Sequence, residues 1–233
     1  DSSSGETVFI KSGAEITLVF DEDAPSIEIP ENVTLAGDRG CGGSEGALLA
    51  GEAKEGEEWE GSDTIRMNDD SRITGLRIEG PYPDREMNWL GEDHDYTDGI
   101  VAEASNVEIN NNEIYGWPAA AVRGGLLYVH HNYIHDNDQR GLGYGVASTL
   151  AGSKIEYNVF ERNRHAVTGS GEKDEGYIVR YNFFGSEGIA GAGHKIDMHN
   201  DDSGKAGSKI EIYRNTIKYE DAQAVYIRGV PRD

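Results

Sequence analysis

Three of the seven histidines, His165, His194 and His199, fall close to Tyr144, Arg164 and Asp197 when the chain is aligned on the repeats described below. Such a group suits β-elimination in an acidic polysaccharide. An arginine or a metal ion neutralises the uronate carboxylate and acidifies the adjacent C–H. A histidine or tyrosine then removes the proton, and a second such group protonates the leaving oxygen. His165, Tyr144, Arg164, His199 and Asp197 are the candidate catalytic residues. Arg140, His194, Lys195, Trp89 and Trp117 are the candidate substrate-binding residues. Hydrolysis would instead need two carboxylates about 5–9 Å apart, for which Asp197 with Asp136 or Asp98 are the candidates.

Two segments have the composition of cation sites. His194-Lys-Ile-Asp-Met-His199 offers two imidazoles and a carboxylate, a donor set for a transition metal. The run Glu92-Asp-His-Asp-Tyr-Thr-Asp98 offers oxygens, and Asp95 and Asp98 are the candidate ligands for Ca2+. The twelve-residue calcium loop with its glycine is absent there, and plain solvation is the competing reading, as it is for Asn200-Asp201-Asp202. Arg164-His165 also reads as a stacked structural pair, and His130-His131 as solvated strand polarity. Trp59, Trp89 and Trp117, with twelve tyrosines, supply rings of the kind that line carbohydrate grooves.

These residues are positioned by a repeat. Val107–Ile114, Tyr128–Ile134, Ile155–Phe160, Ile178–Phe184 and Ile210–Ile217 each carry an asparagine two residues before an apolar one. The asparagines are 112, 132, 158, 182 and 215, at steps of 20, 26, 24 and 33 residues. Arg72–Gly80 and Asn32–Gly37 keep the shape without the asparagine. No segment sustains a 3.6-residue apolar period with helix caps, so the repeat is built of strands and implies a solenoid. The asparagines are expected at the corners, in left-handed geometry, with their amides bonded to one another along the axis. Second strands align as Asp98-Gly-Ile100, Ala120-Ala-Val122, Tyr144-Gly-Val146, His165-Ala-Val167, Lys195-Ile-Asp197 and Gln223-Ala-Val225, with the third residue inward and the first at a groove. Residues 41–63 and 80–98 read as excursions from one domain spanning 1–233. The end at Val230-Pro-Arg-Asp233 lacks a polar cap, so a continuation or self-assembly through open ends is expected.

The Asn-marked strand ends resemble the right-handed parallel β-helix superfamily, the pectate-lyase-like fold, from about Val8 to Ile227. Gly37-Asp-Arg-Gly40, Gly116–Val122 and Gly143-Tyr-Gly-Val146 also resemble secreted bacterial and archaeal members of it. The resemblance implies an all-β, single-stranded solenoid. It implies little about activity, because the fold hosts lyases, hydrolases, epimerases, adhesins and tailspikes. A secreted polysaccharide lyase is the first functional reading. A non-catalytic surface, adhesive or structural domain is the alternative.

Composition narrows the partners. The formal net charge is -22, from 43 acidic and 21 basic residues, and only eight of the latter are lysine. Such a surface repels nucleic acid and anionic membranes. No apolar run approaches the roughly 20 residues that span a bilayer. Cys41 is the lone cysteine, so an intrachain disulfide is excluded. The acid excess resembles that of proteins from concentrated salt, and an anionic substrate would have to arrive with screening salt or with bridging Ca2+. Repulsion among the carboxylates is screened as the Debye length falls from about 10 Å at 0.1 M salt to about 3 Å at 1 M. The melting temperature is therefore expected to rise with NaCl over that range, as followed by circular dichroism; a flat or falling curve contradicts the halophilic reading.

Overall fold

The computed structural model describes residues 5–20, 25–52, 63–83, 96–139, 141–185, 194–218 and 223–232. Among these the chain forms twenty-four strands, a single 3-10 turn at Cys41–Gly43 and no α-helix. The strands sort into three sheets of eight, and each turn of the chain adds one parallel strand to each sheet. The architecture is a right-handed parallel β-helix.

Sheet A runs from Thr7–Phe9 to Ile210–Tyr213, sheet B from Glu15–Leu18 to Thr216–Ile217, and sheet C from Ile27–Ile29 to Val225–Ile227. An Asn-marked segment is two strands rather than one, as in Val107–Asn110 of sheet A and Glu113–Tyr115 of sheet B. Leu48–Gly51, inside the expected 41–63 excursion, is a sheet B strand paired with Glu15–Leu18 and Arg77–Glu79. Of the 80–98 excursion, residues 84–95 lie outside the described residues.

The core follows from strand alternation, which sends every second residue inward. Leu35, Ile73, Ile109, Val129, Ile155 and Val179 form one inward column from sheet A. Leu49, Ile78, Ile114, Ile134, Phe160 and Phe184 form a second from sheet B. Ile65, Ile100, Val122, Val146, Val167 and Ile196 form the third, from sheet C. All are buried, and each such side chain contributes about 1.5–3 kcal/mol by leaving water. The β-branched majority suits the extended backbone.

At the A-to-B corner Asn112, Asn132, Asn158, Asn182 and Asn215 stand one above another. Each amide nitrogen donates to the side-chain oxygen of the next, at 3.0–3.3 Å. That oxygen also accepts the backbone N–H of the asparagine one coil earlier, at 2.9–3.0 Å. The left-handed residue is not the asparagine itself. It is the one before it: Asn111, His131, Tyr157, Tyr181 and Arg214 all have φ between 54° and 57°. A left-handed backbone costs a residue with a Cβ about 1–3 kcal/mol, and the bonds of the following amide offset it.

A second row, beyond the five asparagines of the repeat, stands at the B-to-C corner. Asn137 donates to Asn163 at 2.7 Å, and its own side-chain oxygen accepts the Trp117 N–H at 2.9 Å. Asp136 and Arg162 take the left-handed position before them, with φ of 52° and 48°. The signal is present in the sequence, since Asn137 and Asn163 each follow a first-row asparagine by five residues.

Asn158 bonds in both directions within the buried stack. Its replacement by Ala leaves the Asn132 backbone N–H without its partner, at about 1–3 kcal/mol for each stranded group. Asn158→Ala is expected to lower the urea midpoint clearly. Asn215→Ala, at the half-exposed end of the row, is expected to lower it less; equal effects would contradict this account.

Candidate functional site

The entrance to each sheet C strand departs from simple alternation. The Gly143 carbonyl accepts both the Arg164 and His165 N–H groups, and the Lys195 carbonyl accepts both Ala166 and Val167. This sharing of one acceptor by two successive donors is bulge geometry. It turns two successive residues inward: Ala121 with Val122 and Ala166 with Val167 all belong to the core. Gly145 holds the same place as Ala166, and a Cβ there would lie 2.6 Å from the Ala166 carbonyl oxygen. The residues on either side of each inward pair therefore face out. Ala120, Tyr144 and His165 make one outward column, and Arg123, Ala147, Thr168 and Asp197 a second.

The alignment of the coil that carries Ile196–Met198 shifts by one. Val167 pairs with Ile196, not Asp197, so Asp197 points outward beside Thr168 and His194 stands opposite His165. The rings of Tyr144, His165 and His194 consequently stack along the axis, with centroids 5.8 and 4.4 Å apart and planes within 13°. The Arg164 guanidinium lies 5.8 Å from the Tyr144 ring centre.

Asp197 is the hub beneath this stack. Its side chain is fully buried, and its Oδ2 lies 2.7 Å from His199 Nε2, 3.1 Å from His194 Nε2 and 3.5 Å from His165 Nε2. Arg228 donates to Oδ1 through Nε at 2.9 Å and to Oδ2 through Nη2, and Nη2 also donates to His194 Nε2 at 3.1 Å. Burial alone would raise the Asp197 pKa, but His199 and Arg228 outweigh it and hold the carboxyl well below the usual range. His165 is pushed down to about 3, first by burial and then by the Arg164 charge, so its ring is neutral. The carbonyl of His194 can only accept, so His165 Nδ1 carries the proton and donates to it at 3.0 Å.

A groove of about 460 Å³ runs over the outer face of sheet C. Tyr96, Asp98, Arg123, Tyr144, Glu175 and His199 line it. The acids in it are occupied. Asp98 is gripped bidentately by Arg123 at 2.5 and 3.1 Å, and Glu175 accepts the Gly171 N–H at 2.9 Å. The expected Ca2+ ligand Asp98 is thus the partner of a guanidinium, while Asp95 lies outside the described residues. Tyr144 donates its hydroxyl proton to the Gly141 carbonyl at 3.0 Å.

Several expectations change. His165 is fully buried rather than open to the groove, and Asp197 is equally covered. Trp117 is no sugar platform: it is fully buried, packed edge-on to Phe20 with centroids 6.4 Å apart. Lys195 is buried opposite Ala166, because its strand is displaced by one place. Asp136 sits at the B-to-C corner among His135 and Arg162, so it forms no carboxylate pair with Asp197. Arg140 and Trp89 lie outside the described residues. His130 bonds Glu108 on the outside of sheet A, away from the groove. Arg123 and Arg228 were missed. Arg123 shares the strand position of Asp197, which the correct alignment would have shown, whereas nothing in the local sequence marks Arg228.

Residues 1–217 match the family described as a protein of unknown function, DUF1565. The chain belongs to this family. No curated protein matches it in sequence. Among solved structures it is similar to an alginate lyase from Paenibacillus sp. str. FPU-7, with a TM-score of 0.53 and 13% identity over 99% of this chain and 94% of that one. At that identity the likeness is one of fold.

The DUF1565 chain carries a second titrating cluster outside the groove. His135 bonds Asp136 at 2.6 Å and Glu113 at 3.2 Å, between the rings of Tyr115 and Tyr133. Burial lowers its pKa, but the two carboxylates outweigh that and raise it above the ordinary value. A raised histidine stabilises fully below its unfolded pKa and loses that contribution as pH climbs through the folded one. His135→Gln is therefore expected to depress the melting temperature more at pH 6 than at pH 9. A deficit that grows with pH contradicts the ion-pair account.

Proposed function

We propose that this protein is an extracellular polysaccharide lyase that cleaves a uronate-containing glycan by β-elimination in the groove outside sheet C. The observation that carries the reading is the set of groups in that groove. Tyr144 and His199 line it, while both acids described there, Asp98 and Glu175, are held by donors. A hydrolase needs two carboxylates that reach the bond; elimination needs a proton-transferring group beside a cationic one. The alginate lyase of the same fold is consistent with a polyuronate substrate, although a fold of this kind hosts many activities.

In this reading Tyr144 is the proton-transferring residue at the sugar C5 position. The Tyr144 oxygen accepts the C5 proton, the electron pair left behind becomes the C4–C5 double bond as the C4–O bond breaks, and the departing oxygen takes the proton from Tyr144. The end of the groove, where His199 lies above the Asp197–Arg228 pair, receives the uronate carboxylate, and the Arg228 guanidinium behind it stabilises the charge that develops. The acid coat implies that the polymer arrives with cations, which concentrated salt or Ca2+ would supply.

Incubation with a panel of polyuronates in high salt with Ca2+, followed by the ultraviolet absorbance of the unsaturated product, tests the reading. Product is expected with at least one polymer, and Tyr144→Phe is expected to cut kcat by about 10²–10⁴-fold with a smaller effect on KM. Absence of product with every polymer would favour a non-catalytic surface domain and overturn the lyase.

A further inference from the structure

We propose that His165, Asp197 and His199 form a site for one divalent first-row transition-metal ion of the Zn2+ class, set at the end of the sheet C groove. Each offers one ligand atom, and these atoms all lie within 4.8 Å of one another. Metal–ligand bonds of about 2.0–2.1 Å in a tetrahedron place ligand atoms about 3.3 Å apart. The 3.5 Å between His165 and Asp197 fits as it stands, and the 2.7 Å between Asp197 and His199 needs only a small opening.

The hydrogen bonding points the same way. With His165 Nδ1 donating to the His194 carbonyl, Nε2 presents a lone pair. That lone pair is buried, has no hydrogen-bond partner, and faces a carboxylate oxygen. Two acceptors held face to face in the interior repel unless a cation lies between them. His199 Nε2 also has no aligned hydrogen-bond partner, despite its closeness to Asp197. An Nδ1–H bonded to a backbone carbonyl is the arrangement that fixes the ligating tautomer of a metal-bound histidine. Two imidazoles and one carboxylate select a borderline ion, whereas Ca2+ takes six to eight oxygens.

The ligands stand on adjacent coils of sheet C, so the scaffold preorganises them. Arg228 bears on the site in two ways. Its Nε on Oδ1 orients the carboxylate as an outer-layer partner. Its Nη2 shares Oδ2 with the ion, must yield it on binding, and lowers affinity by its charge. His199 lines the groove, so the open coordination position faces it. That this position would receive the substrate carboxylate rests on the lyase reading; binding of the ion does not.

Protein stripped by chelator and titrated with Zn2+ provides the test, by calorimetry and melting temperature, with Co2+ absorption reporting the ligand geometry. One ion per chain and a raised melting temperature are expected, with no shift from Ca2+ at the same concentration. His199→Ala, at the groove surface, is expected to weaken Zn2+ binding by at least about tenfold, and Tyr144→Phe to leave it unchanged while cutting kcat by about 10²–10⁴-fold. No shift with Zn2+, or wild-type affinity in His199→Ala, overturns the site. Zn2+ binding without activity on any polyuronate leaves the site standing and removes the lyase instead.

Discussion

Registration of each coil on the one beneath it is the constraint on which everything else rests. A parallel β-helix has no hairpins to fix strand pairing, and a slip of one residue would send every inward side chain to the surface. The stacked amides at the A-to-B corner meet this constraint directly. One side-chain oxygen accepts from both the backbone and the side chain of the asparagine before it, so the corner of each coil is fixed against the corner of the next. Coil lengths can then vary, as the steps between 20 and 33 residues show, because the added residues leave from other parts of the turn.

The site follows from that registration. Once the corners are fixed, the bulges at the sheet C entrances recur at the same height, and the positions flanking them form columns. Neighbouring strands lie about 4.8 Å apart, which is close to the separation of stacked rings. Tyr144, His165 and His194 stack for that reason. Asp197, in the outward column one place further along, is brought beneath them. A single backbone irregularity, repeated, thus converts a plain sheet face into a cluster of titratable groups.

The repeating fold was legible in the sequence because its signals are local: an asparagine, a β-branched run, a turn. Participation of Tyr144, His165, Asp197 and His199 in one cluster was also legible, since it needed only an approximate alignment. Details that depend on the bulge were not. Strict alternation put Asp197 inward and left His194 a place away from His165, and no composition reveals that one carbonyl accepts two N–H groups. Trp117 misled for a related reason. Its neighbour Pro118 and the nearby loop suggested a rim, but Gly116 turns left-handed at φ 77° and the Trp117 N–H tops the second asparagine row. Arg228 was invisible because its partner lies 31 residues away.

The charge of the chain takes on a different meaning once the groove is located. A uniform coat of -22 would repel a polyanion from every side. At the groove end the charges are paired instead, with the Arg228 guanidinium on the buried Asp197 carboxylate. Asp197 stays ionised although buried, because His199 and Arg228 outweigh its desolvation. A buried carboxylate with fewer donors would take up a proton to escape its desolvation, and Arg228 would lose the ionised partner that holds it. Asp197 therefore acts as a hub placed under the groove: it holds Arg228, His194 and His199 around one buried carboxylate, while the outer coat stays acidic. High salt weakens the mutual repulsion of the exposed coat far more than it weakens the partly buried Asp197–Arg228 pair, because exposed charges are screened more strongly than buried ones.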